Sequence, residues 1–224
     1  AKKLREAAQA GRPLPWTVVL TVGGDTPAEK LVRLLSDCRE TGIYLFFLTI
    51  KTRDTDAVRA LCAQFPDCAF ILFAECCADA PALTGVNALT VPPLDDPRFP
   101  QTKDALRASG ALYGAFVRAG AAPLALPEIV QRAGALDAPI LFMSEPMTAD
   151  TQRALEAFRA APSAAVFPVA LPHDLLQVSR RISERAMYFE VEEDGAAALR
   201  TDAGSSPLPN VFDTPFGLVL RKIR

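Results

Sequence analysis

A short charged group directly follows one of the apolar segments of this chain. It consists of Lys51, Arg53 and Asp54, with one residue between the lysine and the arginine. Neighbouring cations are suited to clamping an anionic group, because charge-assisted hydrogen bonds to oxyanions are among the stronger polar contacts. The structural alternative is an ion pair within the loop, with the Asp54 carboxylate capping the helix that follows. Both interpretations are open at this point.

His173 is the only histidine, and Cys76 and Cys77 are adjacent. A histidine can act as an acid or a base near neutral pH, but His173 could instead precede or cap the helix that begins at Asp174. A nucleophilic cysteine needs a base or a positive field beside it. The simpler interpretation of the cysteine pair is that both are small, buried side chains.

Asp95 and Asp96 form an acidic pair that could hold a cation, although Asp-Asp-Pro is also ordinary turn chemistry. The chain has five cysteines without C-x-x-C spacing and a single histidine, which argues against a zinc site. An odd cysteine count without a regular framework predicts reduced thiols and a cytoplasmic location. No cofactor follows with certainty from these residues.

The overall charge balance excludes some classes of partner. The chain has 24 basic and 26 acidic side chains and a formal net charge of −2, so no basic excess points to nucleic acid or anionic lipid. No apolar run reaches the length of a membrane helix. Half of the 224 residues are hydrophobic, which predicts one large core.

Apolar segments of strand length alternate with segments of helical period along most of the chain. The predicted strands are 17–22, 44–50, 69–74, 88–91, 112–117, 139–143, 164–170 and 187–191. This alternation predicts an α/β fold, and eight such units predict a closed (β/α)8 TIM-type barrel. An open, doubly wound sheet would give the same alternation and is the alternative fold.

The two ends of the chain do not follow this pattern. Residues 1–16 predict a short N-terminal helix rather than a signal peptide, because they lack an apolar central stretch. The barrel domain is expected to span residues 17–195, with residues 196–224 as a C-terminal extension. In that extension Phe216–Leu220 is predicted to be a strand, paired with residues 197–200 in a hairpin or with another chain.

Residues 48–118 resemble the thiamine-phosphate synthase family, a barrel that joins a pyrimidine pyrophosphate to a thiazole phosphate. That family ends its second strand in Gln-x-Arg-x-Lys-Asp, and residues 49–54 of this chain are Thr-Ile-Lys-Thr-Arg-Asp, with the two basic types exchanged. A metal-binding aspartate of the family falls on Cys76, and a second one matches Asp95 or Asp96. Tyr113 to Phe116 is similar to the family's Ile-Gly-Val-Ser.

The resemblance weakens after the fifth strand. The family's lysine-containing loop aligns with residues 145–150, which contain no lysine. The family's Gly-Gly phosphate turn aligns with Leu171 and Pro172. A proline has no N–H to offer a phosphate, and leucine disfavours the positive φ that such turns use. The acidic residues from Glu190 to Asp194 would also repel a phosphate. A Mg²⁺ site would be incomplete, since cysteine is a poor ligand for this ion.

Several of the remaining polar residues share one position, directly after successive predicted strands, where barrels keep their chemistry. The candidates for contact with an anion or substrate are Lys51, Arg53, Glu75, Arg118 and His173, and Asp95 is the candidate metal ligand. We expect Lys51, Glu75, Asp95, Arg118, Ser144 and His173 to lie near one mouth.

Two functions follow. The resemblance implies a thiamine-phosphate-synthase-like transferase with an altered site that lacks the family's full activity and could still bind a small phosphate. The alternative is a non-catalytic binding or assembly subunit, working as a homo-oligomer or with a partner protein through its C-terminal tail. The first predicts a polar cavity with Lys51 and Arg53 pointing inward. The second predicts a mouth filled by Phe, Met or Leu and an apolar patch on the tail.

Overall fold

Parallel strands alternate with helices along the chain, as its apolar pattern predicts. The computed structural model describes residues 2–9, 11, 14–117, 126–144, 148–162 and 165–223. The strands are β1 Thr17–Val22, β2 Leu45–Ile50, β3 Ala69–Ala74, β4 Ala88–Val91, β5 Leu112–Tyr113, β6 Ala115–Val117, β7 Ile140–Met143, β8 Phe167–Ala170, β9 Met187–Val191, β10 Ala197–Thr201 and β11 Gly204–Leu208. The α-helices are α1 Lys2–Gln9, α2 Ala28–Thr41, α3 Thr55–Ala63, α4 Phe99–Ala108, α5 Leu126–Ala135, α6 Ala149–Ala160, α7 Leu171–Ser183 and α8 Phe216–Leu220, and Ala80–Leu83 is a 3-10 helix. Within these ranges no helix combines the length and apolarity needed to cross a membrane.

Two sheets meet at a kinked strand. The larger sheet has the order β11-β10-β9-β1-β2-β3-β4-β5, and the smaller one has the order β6-β7-β8. Residues 112–117, which the sequence predicts as one strand, are interrupted at Gly114, so that β5 pairs with β4 and β6 pairs with β7. A Cβ atom on Gly114 would lie 2.9 Å from the carbonyl oxygen of Ile140, so the close approach of β7 requires glycine here.

The predicted closed barrel is wrong in one respect, since its last two strands do not pair. β9 pairs in parallel with β1 on one edge, and its other edge is taken by the antiparallel strand β10. β8 is bonded to β7, and no pairing joins β8 to β9, both of which lie in the described part of the chain. The fold is therefore a mixed α/β sheet structure without a closed barrel. We call the gap between β8 and β9 the seam.

Successive residues of the parallel strands point to opposite faces. On the outer face, Leu20, Leu48 and Phe189 are buried together with the apolar sides of α2 and α3. On the inner face, Phe47 and Tyr188 belong to a second buried cluster, into which Val19 also packs. This division of side chains is the one that a barrel wall requires.

Helix α7 fills the seam with side chains. Leu175 is buried in the inner cluster, and Leu171 and Leu176 of the same helix pack against it. The indole N–H of Trp16 donates a hydrogen bond of 3.0 Å to the carbonyl oxygen of Leu175, which fixes the helix beside β1. Apolar contacts from α7 thus take the place of the hydrogen bonds that would close a barrel.

The C-terminal extension differs from the predicted strand, because Phe216–Leu220 is the helix α8. Phe216 is 1% exposed and Val219 is fully buried, so residues three apart share one buried face, which is helical spacing. The Phe216 ring lies 5.4 Å from that of Phe189, on the outer face of β9. β10 does form a hairpin, but its partner is β11 rather than the apolar segment.

Candidate functional site

A cavity of about 430 Å³ opens at the carboxyl ends of the parallel strands. Its lining comes from the inward positions of the strands and from the start of α7. The lining residues are Val19, Thr21, Phe47, Thr49, Lys51, Phe73, Ala74, Glu75, Phe116, Phe142, Ser144, Leu171, Pro172, Leu175, Tyr188 and Glu190. The volume is in the range that protein pockets use for small organic ligands.

Aromatic rings line the deeper part of the cavity, with Phe73 at their centre. Its ring stacks on that of Phe47 with centroids 6.5 Å apart. Phe116 and Phe142 meet it edge to face, at centroid distances of 5.6 and 5.3 Å. These distances fall within the range of favourable ring pairs, so the four rings hold one another in place and offer an aromatic surface to a ligand. We call these four residues the phenylalanine floor.

Polar side chains surround the opening above the phenylalanine floor. Thr49 and Lys51 come from the end of β2, Glu75 follows β3, and Ser144 follows β7. Lys51 is exposed, and its ammonium group has no hydrogen-bond or ion-pair partner among the described residues. Glu75 is also exposed, and it already interacts with another group of the protein. The rim therefore offers hydroxyl groups and one lysine for contact with a ligand.

The hairpin β10–β11 contributes a charge to the same rim. Arg200 of β10 forms an ion pair with Glu190 of β9, whose side chain lines the cavity. Next to this pair, burial raises the pKa of the Tyr188 phenol, the Glu190 carboxylate raises it further, and Arg200 opposes both. Tyr188 thus remains a neutral hydroxyl at physiological pH.

Of the residues predicted from the sequence to share one mouth, the structure brings together Lys51, Glu75 and Ser144. Arg53 and Asp95 are exposed and are not among the described residues that line the cavity, and Asp95 has an interaction of its own. Arg118 lies outside the described residues. Within the described ranges no group of three or more His, Cys, Asp or Glu side chains could hold a metal ion, and Asp95 as a metal ligand stays a prediction.

His173 lies in the first turn of α7 and faces the neighbouring helix rather than the cavity. Its Nε2 atom is 2.8 Å from the amide nitrogen of Gln152 on α6, and its Nδ1 atom is 3.3 Å from Asp174 Oδ1. These contacts tie α7 to α6. They give His173 a structural role of the kind that the sequence left open.

Asp174 occupies the start of α7, directly after β8. Its carboxylate accepts a hydrogen bond of 2.8 Å from the backbone N–H of Ala170 and contacts the Arg159 guanidinium at 2.5 and 3.1 Å. Burial acts to raise the pKa of Asp174, but the hydrogen bonds and charge of Arg159 outweigh it and lower the pKa. In barrels, N–H groups after the seventh and eighth strands commonly bind phosphate. Here the N–H of Ala170 is bound by the chain's own carboxylate.

The other candidates have structural roles. Asp54 Oδ1 accepts a hydrogen bond of 3.0 Å from Ala57 N, so the predicted cap of α3 is confirmed. Asp96 accepts hydrogen bonds from the backbone N–H groups of Arg98 and Cys77, at 2.9 and 3.2 Å, which is turn chemistry. Burial raises the pKa of the Cys77 thiol to about 11, as expected for a structural cysteine.

The binding-subunit alternative predicted a mouth filled by Phe, Met or Leu, but sequence reasoning did not identify the four residues of the phenylalanine floor. Phe47, Phe73 and Phe142 each occupy an inward position in an apolar run. A strand that is buried on both faces is apolar throughout, so its sequence does not show which residues point inward. Sequence reasoning also missed the contribution of Arg200, whose segment carries no motif. Both features depend on which strands are neighbours, which local sequence does not encode.

Comparison with known proteins supports the fold and goes no further. No protein-family model matches the chain, and no curated protein matches it. A protein of Sorangium cellulosum described as a mandelate racemase/muconate lactonizing enzyme is similar to 87% of this chain, at 17% identity and a TM-score of 0.51, and the match spans 63% of its own length. A mutant tryptophan synthase α-subunit of Pyrococcus furiosus matches 80% of this chain and 86% of its own, at 12% identity and a TM-score of 0.47. The similarity to the Sorangium cellulosum protein supports a barrel-like fold.

Proposed function

We propose that this chain binds a small organic molecule in the cavity at the carboxyl ends of its strands. The observation that carries the proposal is the pairing of the phenylalanine floor with a polar rim. Such a site stabilises an apolar ring below and orients its polar substituent above. Open sheets and barrels alike place their ligands at this end of the parallel strands.

Binding without phosphate chemistry is the form of this function that the residues favour. The Ala170 N–H at the end of β8 donates to Asp174, and Pro172 in the first turn of α7 has no N–H to donate. The resemblance to thiamine-phosphate synthase stays a prediction, and on that prediction the chain is a relative that has lost the family's reaction. We propose a non-catalytic binding subunit on the same type of fold, because the two carboxylates of the described rim are already engaged, Glu190 by Arg200 and Glu75 by another interaction.

Filling the cavity tests the binding function. We expect Thr49→Phe, which places a ring inside the cavity, to abolish the binding of ring-containing fragments detected by ligand-observed NMR. Thr52→Phe is the matched control, because Thr52 lies three residues further on and is not among the described lining residues. Equal fragment binding by both folded variants, or no binding by the unmodified chain, would refute the proposal.

A second experiment addresses phosphate. We expect calorimetry with inorganic pyrophosphate and Mg²⁺ to give no binding heat, and the thiamine-phosphate synthase assay to give no product above background. Losing a single contact to transition-state charge typically lowers a rate by about 100-fold or more. Turnover at the level of an ordinary enzyme would show that the chain is a transferase.

A further inference from the structure

Some of the charged side chains around the cavity already have a partner, and Lys51 has none among the described residues. We propose that the ligand is a flat aromatic molecule with a single negative charge, of the aryl carboxylate class, whose anionic group contacts Lys51 while its ring lies on the phenylalanine floor. This inference rests on the proposed function, since it names the class of ligand for the same cavity.

The charged side chains of the rim differ in whether they already have a partner. Among the residues that the structure describes, three side chains that carry a charge at neutral pH line the cavity: Lys51, Glu75 and Glu190. Glu190 is ion-paired with Arg200, and Glu75 is engaged in an interaction of its own. Lys51 has no polar partner in the part of the chain that the structure describes. A ligand that neutralises this site must therefore bring a negative charge.

The phenylalanine floor selects the shape of the ligand's apolar part. Phe116 and Phe142 meet the Phe73 ring at interplanar angles of 89° and 85°, while Phe47 stacks on it at 18°. This arrangement gives the cavity both ring faces and ring edges, and aromatic ligands bind both by offset stacking and by edge-to-face contact. A flat ring matches the floor better than a flexible chain, because it loses less conformational freedom on binding.

The donors near the cavity suit a single negative charge. A phosphate needs several donors, and two backbone positions where β8 meets α7 cannot donate to it, since Ala170 N donates to Asp174 and Pro172 has no N–H. A carboxylate can be satisfied by one ammonium group and a hydroxyl. Lys51 supplies the first, and Thr49 or Ser144, which line the same rim, supply the second.

Three probes that share one ring separate charge from shape. They are 1-naphthoate, neutral 1-naphthylmethanol and cationic 1-naphthylmethylamine, titrated by calorimetry into the full chain at pH 7. We expect naphthoate to bind at least about tenfold more tightly than the alcohol, as a charge-assisted hydrogen bond allows. Lys51→Met should remove this preference, and Arg53→Met, a cation two residues further on and outside the described lining, should leave it within about twofold.

A third variant tests the contribution of the hairpin. Arg200→Gln leaves Glu190 without its partner, so it should weaken naphthoate and strengthen the amine, while circular dichroism checks that the fold is kept. The proposed ligand class is overturned if the alcohol or amine binds as tightly as naphthoate, or if Lys51→Met and Arg53→Met behave alike. In that case the binding function stands without charge selectivity. If none of the three probes binds, both proposals fail.

Discussion

Asp174 shows how one side chain can remove a binding site that the backbone would otherwise offer. The N–H after a parallel strand is an anion site in many barrels, and here a carboxylate from the same chain satisfies it. That carboxylate is held by Arg159, and the two side chains are only 20% and 26% exposed. The site is thus converted from ligand binding to stabilisation of the fold.

We expect Asp174→Asn to lower the free energy of unfolding at pH 7 by about 1–3 kcal/mol, because it leaves the partly buried Arg159 without its counter-charge. Urea denaturation followed by circular dichroism measures this loss. Asp150→Asn is the control, since the Asp150–Arg153 pair is exposed and should change stability by less than about 0.5 kcal/mol. Equal effects of the two substitutions would contradict the assignment.

The same pair predicts a dependence on pH. The pKa of Asp174 is lowered in the folded state, so its contribution to stability is present above the unfolded pKa of about 3.9 and is lost as pH falls through the folded pKa. The difference in unfolding free energy between the unmodified chain and Asp174→Asn should therefore shrink between pH 5 and pH 2. A difference that grows on acidification would have the wrong sign.

The five cysteines are expected to differ in how fast their thiols react. Burial raises the pKa of four thiols, which react slowly in the native state. These four are Cys38, Cys62, Cys68 and Cys77. Cys76 is half-buried and donates to Asp79 Oδ2 at 3.1 Å. We expect a thiol-disulfide reagent at pH 8 to modify one thiol quickly and the other four only on unfolding, and Cys76→Ser to abolish the fast phase. Fast reaction of two or more thiols would disprove this.

At the scale of elements, the C-terminal extension shows why local pattern was a poor guide. Gly217 and the flanking prolines disfavour a helix in isolation, and the segment was predicted to be a strand for that reason. Burial of Phe216 and Val219 against the outer face of β9 and β1 outweighs this local preference. Tertiary packing of this kind can override propensity because short helices owe most of their stability to it.

We expect Phe216→Ala to cost about 3–5 kcal/mol of unfolding free energy, the usual loss for a buried phenylalanine. Leu218→Ala, two residues further on, is the control: Leu218 is 49% exposed and should matter by less than about 0.5 kcal/mol. Urea denaturation of both variants measures the difference. If α8 were instead a contact with another chain, Leu218 would be the more sensitive position.

The edge of the larger sheet bears on association. β11 is its outermost strand, and Pro207 within it has no N–H to donate to a further strand. Proline is one of the devices by which edge strands avoid pairing with other molecules. Association through this edge is therefore less favoured than the sequence pattern suggested, and the homo-oligomer or partner protein stays a prediction.

For the whole molecule, the tail is expected to act inside the fold. Its apolar residues Val211, Phe212, Phe216 and Val219 are all buried in the outer cluster. Deletion of the residues after Gly204 should therefore abolish cooperative unfolding or cause aggregation, seen by light scattering as a rise in mass. A truncated chain that keeps its stability and changes only from oligomer to monomer would establish the tail as a contact between chains instead.

The order of elements and part of the site could be predicted from the sequence, and the reasons are local. Apolar runs indicate the parallel strands. Lys51, Glu75 and Ser144 line one cavity because each directly follows such a strand. The seam could not be predicted, because the free edge of β9 is taken by the antiparallel strand β10 rather than by β8, and the local sequence does not show which strand takes that edge. The loss of His173 from the site has the same origin, since the orientation of α7 decides it.

The seam also changes how the structure responds to force. A closed barrel resists widening, because any increase in its circumference stretches the hydrogen bonds between its strands. At this seam, Leu171 and Leu175 offer sliding side-chain contacts instead. No hydrogen-bonded ladder between described strands crosses the seam, so a small separation of β8 from β9 would break none. We therefore expect the cavity to be elastic across its width and to admit ring systems of different breadth with little strain.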